Sequence, residues 1–171
     1  MTDKQKKITS VAGAAVVIVA ILIYWLFFSS FSSSRKPSFV YIDSDDTPDS
    51  VYIKLDKAAK PSQMVGLKLC AFVVNYGAHV HPGRYATGDG VSTFRLIRNL
   101  RGGRQTAVEL VIPVVHTMND LAGRLSQQLE ADSATLAATF KDDKVLVPLG
   151  VDTATVPCLF IPNTYEVYWD I

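Results

Sequence analysis

Residues 158–171 read CLFIPNTYEVYWDI, and the reading of the whole chain turns on them. Leu159, Phe160 and Ile161 make an apolar run, Pro162 and Asn163 carry turn chemistry, and residues 164–169 alternate as a half-buried strand does. Tyr165, Val167 and Trp169 fall on one face, Glu166 on the other. Such a strand needs a partner, and with so little chain after Trp169 the expectation is an edge left without one.

Working outward, HPGRY at 81–85 and NDLAGRLSQQLEAD at 119–132 join FIPNTYEVYW at 160–169. Together they resemble the endolytic murein transglycosylases, the MltG or YceG-like family, whose membrane-anchored members cut peptidoglycan glycan strands. The resemblance is most specific over 82–103 and 108–169. It implies an α+β fold: a single N-terminal transmembrane helix, a small LysM-like strand and helix repeat region, and the first strand of a truncated catalytic domain. The implied organisation is a cytoplasmic tail and anchor at 1–31, a linker and first strands at 32–60, the LysM-like region at 61–140, and the start of the catalytic domain at 141–171. The implied activity is that of a lytic transglycosylase leaving 1,6-anhydro-muramic ends during wall assembly. The family's catalytic Glu lies on a helix past Ile171, so these residues are expected to be inactive alone. Implied partners are peptidoglycan glycan strands, a membrane crossed once, and peptidoglycan synthases; no cofactor is implied. The label aminodeoxychorismate lyase, also attached to some relatives, does not suit an exported chain, because pyridoxal phosphate chemistry needs a cytosolic cofactor and a buried Schiff-base lysine.

The residues themselves support the anchor reading at this level. Residues 11–28 are uncharged and almost wholly apolar, and an α-helix over 8–28 spans about 30 Å, the thickness of a bilayer's hydrocarbon core. Bulky Tyr24, Trp25, Phe27 and Phe28 stand where a cleaved signal peptide needs small residues. Lys4, Lys6 and Lys7 precede the run, which places the N-terminus in the cytoplasm and the remainder outside the plasma membrane, in the periplasm or cell exterior.

Net charge is +1 and no block of like charge occurs, which argues against nucleic acid as a partner. Arg95, Arg98, Arg101 and Arg104 recur every three residues. That spacing reads either as a solvated helix face or as a weak site for an anionic wall polymer. Cys70 and Cys158 read as free and buried, although an exported domain permits a disulfide.

Periodicity predicts strands at 39–42 and 51–55, then a helix from about Ser62 with Met64, Val65, Leu69, Phe72 and Val73 inward and Gly77 past its end. Residues 29–34 and 43–49 read as linker and acidic loop. A degenerate repeat follows. Its first copy is a strand at 83–85, a turn at 88–90 and a helix capped by Ser92 carrying Phe94, Ile97 and Leu100 to Gly102. The second is a strand at 108–115 and a helix opened by Thr117 with Asp120 three residues on, carrying Met118, Leu121, Leu125 and Leu129. Neither copy hides its own apolar face, so the two are expected to pack together. A short helix at 132–140 and a connection at 141–157 complete the chain.

Lytic transglycosylation needs one protonated carboxylic acid, which donates to the glycosidic oxygen and then accepts the proton of the sugar's own 6-hydroxyl. Glu109 and Glu166 alternate with apolar strand residues and Glu130 closes a helix, so none reads as that acid. Asn163, Thr164 and Tyr165 are the candidates for sugar contact, since an amide, a hydroxyl and a phenol on a turn supply hydrogen bonds and a stacking face. The competing role for Asn163 and Thr164 is to satisfy the turn backbone while Tyr165 packs inward. His79 and His81 share a face if they lie on a strand, but no third metal ligand stands nearby, and His116 reads as surface. The alternative to an enzyme fragment is a complete, non-catalytic bitopic protein that binds or scaffolds the cell wall.

Overall fold

A computed structural model of the chain describes residues 3–32, 36–88 and 90–171, with the side chains of its first helix described from Gly13 onward. The lysine flank at 4–7, the end of the serine linker at 33–35 and Asp89 of the expected turn lie outside the described side chains. The fold is α+β. Seven α-helices are described: α1 Asp3–Phe28, α2 Pro48–Asp56, α3 Pro61–Val73, α4 Thr93–Arg101, α5 Met118–Leu125, α6 Ser133–Thr139 and α7 Asp143–Leu146. The strands are β1 Phe39–Ile42, β2 Gly83–Ala86, β3 Val108–Ile112 and β4 Asn163–Val167, paired as β1 with β2 and β3 with β4. The chain divides into two compact units, the first comprising Met1–Val40, Asp46–His81 and Tyr85–Arg104, the second Tyr41–Asp45, Pro82–Arg84 and Gln105–Ile171.

In the first unit the expected anchor is corrected. Among the described residues no helix is long and apolar enough to cross a membrane. The last turn of α1 is also committed to packing: Leu26 sits tight against Gly66 of α3, and Phe28 stacks on Phe94 of α4 at 5.9 Å between ring centres. The single-pass topology, the plasma-membrane location and the exported C-terminal part were read from that span and fall with it.

Residues 51–55 are helical, not a strand. Thr47 Oγ1 caps α2 by accepting the Ser50 amide at 3.3 Å, Pro48 suits the first helical position, and Val51 and Leu55, four apart, are both fully buried. The alternation at 51–55 is equally the i, i+4 spacing of a helix face. Helix α3 is present with a different face inward: Gln63, Met64, Gly66, Leu67, Cys70 and Ala71 are buried while Val65, Leu69, Phe72 and Val73 are exposed. Its end comes before Gly77, with Asn75 taking the left-handed turn at φ 52°. The buried Thr93 hydroxyl donates to Gln63 Oε1 at 2.7 Å, and Leu96, Ile97 and Leu100 of α4 complete the apolar interior. Phe31 is fully buried, its amide donating to Val91 O and its carbonyl accepting from the Lys60 amide.

The second unit is built on β3 and β4. They pair antiparallel in the register Val108 with Val167, Glu109 with Glu166, Leu110 with Tyr165, Val111 with Thr164 and Ile112 with Asn163. The terminal strand therefore has the partner that the sequence left open. Val108 and Leu110 point into a core of Leu121, Ala122, Leu125, Leu129 and Phe140, with Phe160, Val167 and Trp169 packed against it. Leu129 joins this core from beyond the end of α5. The opposite edge of β3 is covered by one side chain. The Gln128 amide accepts from Val111 N at 2.9 Å and donates to Val111 O at 3.0 Å, standing in for a neighbouring strand. The two repeat copies do not pair their strands with each other: β2 pairs with β1, and β3 with β4. Both cysteines are free; Cys70 is buried, its thiol pushed up by desolvation, and Cys158 is exposed in a short 3-10 turn at Val156–Leu159, not in the strand.

Candidate functional site

The concave feature nearest the terminal motif lies in the second unit, where β3 ends and α5 begins. The β3 strand stops at Ile112 because Pro113 cannot continue a ladder, and Thr117 starts α5 by accepting the Asp120 amide at 3.1 Å while donating to Asp120 Oδ2 at 2.7 Å. Between those two signals residues 113–116 bow outward. Their bow and the segment carrying Pro157, Phe160 and Pro162 enclose a groove of about 130 Å³, floored by Met118 and Leu121 and bordered by His116. Three prolines in its walls fix the backbone φ there.

Asn163 and Tyr165 adjoin this groove in different ways. Asn163 follows Pro162 and pairs with Ile112, both groove residues. Its Oδ1 accepts the Thr164 amide at 2.8 Å, which leaves the side-chain NH₂ of an exposed residue for a ligand. Tyr165 is half-buried on the core face beside Leu110, and its hydroxyl donates to Ile161 O at 3.0 Å, which fixes the turn at Pro162. Thr164 points to the opposite face with Val111. The three expected sugar-contacting residues are thus split by the pleat: Asn163 and Tyr165 share a face, and Thr164 does not.

The carboxylates are equally well placed for judgement. Glu109 and Glu166 stand directly opposite each other on the outer face of the β3 and β4 pair, both exposed. Glu130 is half-buried and off the helix it was expected to close; it accepts the Ser44 amide at 2.6 Å, and its own amide donates to Trp169 O. None of the three sits in an enclosed apolar setting. His79 and His81 precede β2 instead of lying on it, and His79 Nδ1 lies 3.2 Å from Asn75 O. Among the described residues no group of three or more His, Cys, Asp or Glu gathers to hold a metal.

Sequence reasoning placed the terminal strand and the turn before it, and missed the groove. Its signal was the run of prolines at 113, 157 and 162 around two helix and strand ends.

Comparison with known families follows this geometry closely. The family model described as YceG-like matches residues 40–171, which takes in β2 to β4 and all but the first residue of β1. The chain belongs to the YceG-like family. At that level the kinship implied by the terminal motif holds. A crystal structure of a yceG-like protein from Listeria monocytogenes is similar at 17% sequence identity with a TM-score of 0.35, the alignment covering 78% of this chain and 49% of that one. The chain spans about half the length of that YceG-like relative. No curated protein matches it.

Proposed function

We propose that the chain is the glycan-holding portion of an endolytic peptidoglycan lytic transglycosylase. The observation that carries this reading is the YceG-like match over 40–171, which coincides with the folded strands and the groove beside Asn163. In this reading residues 61–140 take the LysM-like, glycan-facing role and residues 141–171 lead into the catalytic domain. The Asn163 amide hydrogen-bonds the sugar, and the apolar wall formed by Pro162 and Phe160 takes its less polar face. The proton transfers belong to a carboxylic acid elsewhere in the protein. Glu109, Glu130 and Glu166 are each too open or already engaged to donate to a glycosidic oxygen and then take a proton from the 6-hydroxyl.

The test is co-sedimentation of the chain with purified peptidoglycan, followed by analysis of the soluble fraction for anhydro-muramic ends. Binding that Asn163→Ala weakens several-fold, with no anhydro product, is expected. Released anhydro sugar places the catalytic acid within these residues and overturns the division of labour; absence of sedimentation overturns the glycan-holding role.

A further inference from the structure

A second groove, in the first unit, is lined by Val74, His79, Phe94, Ile97, Arg98, Arg101, Gly102 and Arg104 and encloses about 540 Å³. Arg98 and Arg101 lie three apart on the last turns of α4, so their side chains leave the helix on one side. Arg104 is returned to the same place by the turn after α4. Gly102 closes the helix, Gly103 takes φ +60°, and the Arg104 amide donates back to Asn99 O at 2.9 Å. His79 arrives from a separate segment, with Asn75 O beside its Nδ1, which leaves Nε2 for the groove.

Arginines in the last turn of a helix also complement its dipole, and that accounts for Arg98 and Arg101. It does not account for Arg104, which is past the helix, or for His79, which is not on it. Among the described residues no Asp or Glu lines the groove, so three exposed arginines border a common space with no carboxylate among the lining residues. The wall between them is apolar, formed by Val74, Phe94 and Ile97.

We infer that this groove binds a phosphorylated sugar, its phosphate held by Arg98, Arg101 and Arg104 and its ring laid on Phe94. A phosphate monoester carries close to two charges and three strong acceptor oxygens, which suits three converging arginines better than a single carboxylate does. A groove of this size takes a sugar phosphate but is too large for a bare anion. Phe94 is 44% exposed although Phe28 stacks on its ring at 5.9 Å, so part of the ring remains for a sugar. This site is separate from the groove beside Asn163 and does not rest on the transglycosylase reading.

The experiment is calorimetric titration of the whole chain with glucose 1-phosphate, inorganic phosphate and glucose, and flotation with vesicles containing phosphatidylglycerol. Glucose 1-phosphate is expected to bind more tightly than inorganic phosphate, and glucose not to bind. The double variant Arg101→Gln with Arg104→Gln is expected to weaken glucose 1-phosphate at least tenfold. The charge-matched control Lys57→Gln with Lys68→Gln, two exposed cations of the same unit, is expected to change it less than about twofold. Phe94→Ala should weaken glucose 1-phosphate while leaving inorganic phosphate unchanged, which separates ring stacking from charge. Circular dichroism of each variant checks that the helices persist. Equal losses in the arginine and lysine variants, or no binding of glucose 1-phosphate at about 10 mM, overturn the site. Vesicle binding without sugar-phosphate binding assigns the groove to lipid headgroups and overturns the ligand class.

Discussion

Ending the chain at Pro157 removes β4 and with it one half of the sheet on which the second unit is built. Five register pairs are lost, from Val108 with Val167 to Ile112 with Asn163. In an antiparallel pair of that length about four inter-strand hydrogen bonds form, each worth about 1 kcal/mol net. Phe160 also goes, which meets Phe140 edge to face at 5.1 Å, as do Val167 and Trp169, both packed on the same core. Their partial burial adds about 1 kcal/mol apiece. The Gln105 amide loses its 2.8 Å contact with Asp170, and Tyr41 loses the Trp169 ring at 5.1 Å. The sum is roughly 7 kcal/mol, comparable with the whole stability of a small domain. The shortened chain is therefore expected to lose cooperative unfolding of its second unit. Phe160→Ala, a milder cut at the same site, is expected to cost about 1 to 2 kcal/mol, or about 5 °C or more in Tm. Thermal and urea unfolding followed by circular dichroism decide it. If the chain ending at Pro157 unfolds at the same midpoint as the full chain, β4 contributes nothing and the architecture described for the second unit is wrong.

Three further outcomes follow from particular contacts. Gly83 has φ +128°, and a Cβ there would overlap the Gln105 side chain, so Gly83→Ala is expected to cost at least about 2 kcal/mol in urea unfolding. Glu109 and Glu166 face each other across the strands, so Glu166→Lys is expected to stabilise by about 0.5 kcal/mol, a gain that shrinks in high salt. The Asp152 carboxyl is held below the ordinary aspartate value of 3.8, first by the Thr155 hydroxyl and then by the Thr155 and Ala154 amides. A depressed carboxylate contributes stability that is present above its unfolded value and lost as pH falls through its folded one. The melting temperature of Asp152→Asn is therefore expected to fall less steeply than that of the parent as pH drops from 3.8 downward.

Much of this fold was legible because local chemistry and burial agree. Ser92 and Thr117 each cap the helix they precede, and Gly102 ends α4, as short-range rules require. The alternation at 163–167 placed Tyr165 and Val167 on the core face and Glu166 outside it. The failures occur where two periods or two partners compete. At 51–55 the same residues satisfy a strand and an i, i+4 helix face, and the Thr47-Pro48 start decides for the helix. In α3 apolar residues surround the helix, so composition does not name the buried side; Gly66, against which Leu26 packs tightly, lies on it. The partner of β4 lies more than fifty residues upstream, beyond the reach of local pattern. For the candidate site, the turn before Asn163 was legible and the groove was not, since its walls come from three separated prolines.

The most direct test of the glycan-holding role is a nuclear magnetic resonance titration of the isotope-labelled chain with soluble, uncrosslinked peptidoglycan glycan strands, reading amide shifts residue by residue. The account predicts shifts that saturate and cluster at Asn163 and its neighbours and along the groove from Val114 to Thr117, with those of Arg98, Arg101 and Arg104 unmoved. Shifts confined to the first unit, or none anywhere, would contradict it.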